Sequence, residues 1–189
     1  MSLWSVDVES DGPCPGKHSM ISFGMVRVDD NLDVAMGGRL KPISDIWIPE
    51  ALAVSGFSRE AVLEFDDPAT VMQRAADFIA ANNVGDRPIF ISDNNGYDWM
   101  FMHYYFHVYL GYNPFGWSSR RIGDFYCGLR AKFTASGRDW HKMRKTHHSH
   151  DPVDDAKGNA EALIAMCTKW QVALPGVTIE IPLTKLKTK

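Results

Sequence analysis

The sequence predicts an α/β fold in which a mixed central β-sheet is flanked by helices. Three observations carry this prediction. Strand-like alternation marks three stretches within the first 41 residues, amphipathic helical stretches dominate from residue 58 onward, and a short apolar run, RPIFIS at 87–92, interrupts them. Strands first, then strands interleaved with helices, form the pattern of a sheet covered on its faces. With 189 residues, 45% of them hydrophobic and 23% charged, the chain has apolar material for one domain. That domain is expected over residues 1–175, with a C-terminal tail at 176–189.

Taken in order, residues 2–9, 20–29 and 32–41 read as strands, the last two separated by the turn Asp29-Asp30-Asn31. The link SDGPCPGKHS is too rich in Gly and Pro for regular structure. SREAVLEF is a short helix capped by Ser58, and DPATVMQRAADFIAANN a longer one with Asp67 as cap and Pro68 at its first position. After the buried strand 87–92, GYDWMFMHYYFHVYLGY is an aromatic-rich helix ending at Gly111, its aromatics at core spacing. Residues 118–149 hold a short strand or loop around Arg121-Ile122 and one or two small helices. A last helix spans 152–171, and ALPGVTIEIPLTKLKTK is expected to hold one strand and a basic end.

Several classes are excluded. No apolar run approaches the roughly 18 residues of a membrane span, and MSLWSVDVES lacks the basic and apolar regions of a signal peptide. Cys14, Cys127 and Cys167 show no metal or disulfide spacing, which suits a reducing, cytoplasmic setting. The net charge of −3 conceals an asymmetry: residues 1–117 hold 7 Lys/Arg against 16 Asp/Glu, whereas 118–149 hold 8 against 2. An acidic half beside a basic segment fits a metal site next to a polyanion track, although a solvated basic face explains the segment equally well.

The acids themselves are informative. Alternation along SVDVESDG places Asp7 and Glu9 on one strand face, roughly 7 Å apart at Cβ and within reach of a common cation. A strand fraying into a polar loop is the simpler alternative. In SDNNGYDWMF, capping by Asp93 or Asn94 explains one polar residue, but Asp98 sits among Tyr97, Trp99, Met100 and Phe101 and needs a partner. In HSHDPVDDAKGNAEAL, Asp151 caps the last helix, Asp154 falls near its solvent pole, and Asp155 lies on the shoulder of the apolar stripe with Asn159. His150 precedes that helix and can take a proton near neutral pH. A zinc site from His147, His148 and His150 is a weaker alternative, lacking a Cys or spaced His partner.

In this order, Asp7-x-Glu9, Asp98 after an Asn-containing turn, and His150-x₄-Asp155-Ala resemble the motifs of the DEDDh 3′–5′ exonucleases, which have an RNase H-like fold. ALAVSGFSREAV also resembles that family's stretch between its first two motifs, and the likeness runs from residue 3 to about 172. Ser10-Asp11 replaces the usual Thr-Thr.

The resemblance implies a metal-dependent enzyme that hydrolyses single-stranded RNA or DNA from a free 3′ end. Two Mg²⁺ or Mn²⁺ ions would be held by Asp7, Glu9 and Asp155, with Asp98 joining through water and His150 as general base. Such a pair activates water and neutralises phosphate charge, and oxygen ligands suit these ions better than zinc. Ser10 and Asp11 would meet the terminal nucleotide, and Arg120 and Arg121 the upstream phosphates. The resemblance extends to a homodimer in which one subunit's basic segment reaches the other's site. The rival reading is a nucleic-acid- or partner-binding domain with little catalysis.

Overall fold

In a computed structural model, residues 1–180 are described, without the side chains of Gly137 and Arg138. Five strands, β1 (Leu3–Ser10), β2 (Met20–Val28), β3 (Ala35–Arg39), β4 (Ile89–Ser92) and β5 (Ser119–Arg121), form one mixed sheet in the order β3-β2-β1-β4-β5. β1 runs antiparallel to β2 and parallel to β4, and β4 runs parallel to β5. The helices are α1 (Pro49–Val54), α2 (Arg59–Leu63), α3 (Pro68–Asn82), α4 (Asn95–Leu110), α5 (Ile122–Leu129), α6 (Gly137–His141) and α7 (Pro152–Trp170).

Alternation on the strands builds a core on each face. Trp4, Val6, Val8, Phe23, Met25 and Phe90 pack with α3 and α4, whereas Leu3, Val26, Val28 and Ile91 pack with α5, α6 and α7. The expected caps form. Ser58 Oγ accepts from Ala61 N at 3.2 Å, Asp67 Oδ1 from Thr70 N at 3.1 Å, and Asp151 Oδ1 from Val153 N at 2.9 Å. Gly111 ends α4 in the left-handed conformation.

The structure departs from expectation at four places. β3 starts at Ala35 rather than 32, because Asp29 Oδ1 accepts from Asn31 N and Leu32 N and turns the chain at Leu32 (φ 55°). α1 was not anticipated, since its six residues are too few to show a period. Asn94 starts α4 without a side-chain cap bond, and Asp93 is engaged elsewhere. Residues 173–180 form no strand, yet Thr178 N donates to Asp30 Oδ1 at 2.8 Å, fastening the start of the tail to the body; the rest of the tail lies outside the described residues.

Candidate active site

The site forms where β1 meets the start of α7. With Trp4, Val6 and Val8 committed to the α3–α4 core, Asp7 and Glu9 face the other side. Asp7 pairs with Gly24 across the β1–β2 ladder. A Cβ at Gly24 would overlap the backbone of Pro152 and Val153, and one at Gly37 would stand 2.9 Å from Val153 Cγ2. These two glycines let the first turn of α7 settle onto the sheet, which brings Asp155 to the β1 acids. Asp7, Glu9 and Asp155 each offer an oxygen within 4.8 Å of the others.

Asp155 is 1% exposed, whereas Asp154 is exposed, as the helical wheel requires. Its carboxylate accepts from Ser149 N at 3.1 Å and His150 N at 3.0 Å, and Oδ2 lies 2.8 Å from His148 Nδ1. Asp98, 2% exposed at the start of α4, accepts from Val8 N at 3.2 Å through Oδ1. Its Oδ2 is buried with no hydrogen bond of good geometry among the described residues, although the Ser92 hydroxyl lies close enough to favour the ionised carboxylate. His150 has a left-handed backbone (φ 61°), a conformation that non-glycine residues adopt where the surroundings enforce it. Its Nδ1 stands 3.4 Å from Glu9 Oε1.

Burial dominates the electrostatics. It pushes the Asp98 carboxyl up to about 8. It also holds Asp7 well above the usual carboxylate range, with the charges of Asp98, Glu9 and Asp155 adding to the effect and Arg144 opposing it. Glu9 is raised by burial against the counteraction of His150. A desolvated acid cluster with one orphaned oxygen is short of positive charge, and its all-oxygen donor set fits a hard divalent cation.

The other expected site residues are placed differently. Ser10 is buried, donates to Gly12 O at 2.6 Å and bonds the Tyr97 hydroxyl. Asp11 is fully buried, accepting from Ser19 N at 2.6 Å and pairing with Arg59 at 3.1 Å. Both side chains brace the loop after β1 through these internal contacts. Arg121 lies at the same end of the sheet as the acids, donating to Asp93 O at 3.2 Å and lying 3.4 Å from Asp124. Arg120 lines a cavity with Leu3, Ile89 and Leu163, on the face covered by α7.

Sequence reasoning missed Arg144 and named His148 only as part of the zinc alternative. Arg144 bonds Asn159 Oδ1 on α7 and lies 3.4 Å from Asp93 Oδ2, which also holds His141 Nε2 at 2.8 Å. The one signal for this link was Asn159 sharing the shoulder of α7 with Asp155. Both zinc-alternative residues His148 and His150 lie at the site, but beside Asp155 rather than with His147.

No protein-family model matches the chain. The chain is 37% identical over 169 residues to the 3′-5′ DNA exonuclease Cap18 of Escherichia coli, an alignment covering 83% of this chain and 87% of that protein. Among solved structures, the nuclease domain of 3′hExo, a DEDDh family member bound to rAMP, superposes with a TM-score of 0.70 at 16% identity, over 89% of this chain and 92% of that one. The zinc-bound E. coli ExoI–ssDNA complex gives 0.67 at 19% identity over 90% of this chain. This chain spans only 41% of that ExoI chain. The motifs, the mixed sheet and the acid cluster agree with these likenesses, and the chain belongs to the DEDDh family of 3′–5′ exonucleases.

Proposed function

We propose that this protein removes nucleotides from the 3′ end of single-stranded DNA, using two divalent cations, Mg²⁺ or Mn²⁺, and His150 as general base. The observation that carries the reading is the convergence of Asp7, Glu9 and Asp155 within 4.8 Å, with the orphaned Asp98 oxygen behind them and His150 at the mouth. Asp7, Glu9 and Asp155 would hold the cations directly, and Asp98 would contribute through water. When bound, the cations supply charge neutralisation on the phosphate and an acidified water. DNA is favoured over RNA by the likeness to a DNA exonuclease that shares 37% of its residues over most of both chains.

The chain's own residues then have distinct tasks. His150 is partly exposed, so its outer ring nitrogen can receive a proton from a water approaching the phosphate. The Glu9 carboxylate lies 3.4 Å from Nδ1, on the acid-cluster side of the ring. Backbone bonds from Ser149 and His150 to Asp155 fix the ring's pivot relative to the acids. The Tyr97–Ser10–Gly12 chain keeps the loop after β1 in one shape at the edge of the site. Residues 1–175 would constitute the single catalytic domain.

The test is cleavage of 5′-labelled single-stranded DNA and RNA in Mn²⁺, Mg²⁺ or EDTA, with Asp7→Ala purified in parallel. A metal-dependent ladder shortening from the 3′ end of DNA, absent in the variant, is the expected result. A ladder on RNA alone would overturn the substrate assignment, and a ladder retained by Asp7→Ala would overturn the site.

A further inference from the structure

The chain curls at residues 148–150, His-Ser-His, around one carboxylate. The left-handed φ at His150 and the Ser149 and His150 N–H bonds to Asp155 fold the segment back on itself. Both imidazoles then stand on one side, with ring centroids 4.3 Å apart. Their side chains are 53% and 46% exposed, so solvent ions reach them. One ring nitrogen of His148, one of His150 and one oxygen of Asp155 all lie within 4.8 Å of one another. Two imidazoles and a carboxylate are a zinc donor set, leaving a fourth position for water. Mg²⁺ prefers an all-oxygen shell and would be poorly served here. The reaction proposed above gives His148 no task.

We propose that His148, His150 and Asp155 form a site for one zinc ion at the mouth of the acid cluster, and that zinc bound there switches the nuclease off. The inhibitory half rests on the reading of His150 and Asp155 as general base and cation ligand. Zinc would pin the His150 ring and take an oxygen of Asp155 that the catalytic cations require. The same three residues would thus serve two exclusive states, one with hard cations among the acids and one with zinc at the rim.

Calorimetric titration of the full chain with Zn²⁺ reads the site directly. It is run on a His103→Ala background, because His103 and His107 form another imidazole pair with centroids 4.4 Å apart. One zinc equivalent is expected. His148→Ala should weaken its affinity by at least about tenfold, since removing a direct ligand costs at least as much as removing an outer-shell partner. His148→Cys, which restores a zinc ligand, should recover binding, and His147→Ala and Asp7→Ala should leave it unchanged within about threefold on the same scale. Loss of binding in Asp7→Ala with retention in His148→Ala would put zinc among the acids and overturn the proposal, as would no binding at all.

Cleavage assays in Mn²⁺ read the second half. With inhibition read relative to each protein's own zinc-free rate, His148→Ala should need at least about tenfold more zinc for half-inhibition. Equal zinc sensitivity in the two proteins would overturn the switch. A parent inactive in Mn²⁺ alone would overturn the nuclease reading and the switch with it, while calorimetry would still decide the zinc site.

Discussion

Gly24 stands opposite Asp7 in the β1–β2 ladder, and its missing side chain is the space into which Pro152 and Val153 settle. The position of Asp155 therefore depends on a glycine 131 residues away in sequence. Gly24→Ala should lift the first turn of α7 from the sheet. Overpacking of this kind costs about 1–3 kcal/mol. The expected outcome is a lowered melting temperature together with loss of Mn²⁺ binding by calorimetry, since the β1 acids and Asp155 would no longer converge. Retained Mn²⁺ affinity in a destabilised protein would show that the acids do not need this contact.

Asp154 and Asp155 are neighbours with opposite environments, one exposed and one 1% exposed beside the acids. Asp155→Asn keeps the volume but removes a charge from the proposed cation site, and should reduce cleavage at least about 100-fold, equivalent to about 2.7 kcal/mol. Asp154→Ala forfeits only a favourable charge at a helix N-terminus, worth about 0.3–1 kcal/mol of stability. Its cleavage rate should stay within about threefold of the parent, a change of less than 1 kcal/mol in barrier. Rate measurements on the two variants decide the matter, and comparable losses would refute the assignment.

Without metal, the acid cluster should make stability fall as pH rises. Asp98 is pushed up to about 8 by burial, and Asp7 and Glu9 are raised as well, so the folded chain holds protons that the unfolded chain has released. Each such group contributes stability that is full below its unfolded value, near 4, and is lost as pH climbs through its folded value. In EDTA, the melting temperature at pH 8.5 should lie below that at pH 6 by at least about 2–4 °C, the shift that 1 kcal/mol produces in a chain of this size. Asp98→Asn, permanently neutral, should flatten this slope. Mn²⁺ held by the ionised cluster, as proposed, should restore the loss. A metal-free profile that rises from pH 6 to 8.5 would contradict the raised carboxyl groups.

Much of this arrangement is legible along the chain because it rests on period. Alternation separated Asp7 and Glu9 from Trp4, Val6 and Val8, and the 3.6-residue period separated Asp155 from Asp154. Asp98 was conspicuous because an acid among aromatics needs a partner. The contacts that escaped notice are long-range. Nothing near Gly24 announces that a helix will lie on it, and Ser10 and Asp11 look like loop residues until Tyr97, Ser19 and Arg59 arrive from elsewhere. The basic run 118–149 suggested a phosphate track, yet several of its cations stand beside carboxylates of this chain. Arg121 lies beside Asp124, Lys142 beside Asp139 at 4.0 Å, and Arg144 beside Asp93.

Arg144 shows what such a cation does instead. Its guanidinium bonds Asn159 on α7, approaches Asp93 after β4 and lies 5.3 Å from the Trp140 ring centroid. Gly158 provides the room, since a Cβ there would sit 2.9 Å from Thr146 O and 3.3 Å from Arg144 Cδ. The side chain thus ties the segment before His150 to the helix that carries Asp155, while its charge partly opposes the rise of the Asp7 carboxyl. Removing it should cost about 1–3 kcal/mol, mostly from leaving buried partners unsatisfied. If the tie to Asn159 is the main contact, Arg144→Met and Asn159→Leu should not add. A double-mutant cycle by urea unfolding should show a coupling of about 0.5–3 kcal/mol. Arg144→Met should also weaken cleavage without abolishing it, through a looser His150. Strict additivity in the cycle, with a raised KM and unchanged kcat, would instead make Arg144 a substrate-binding cation.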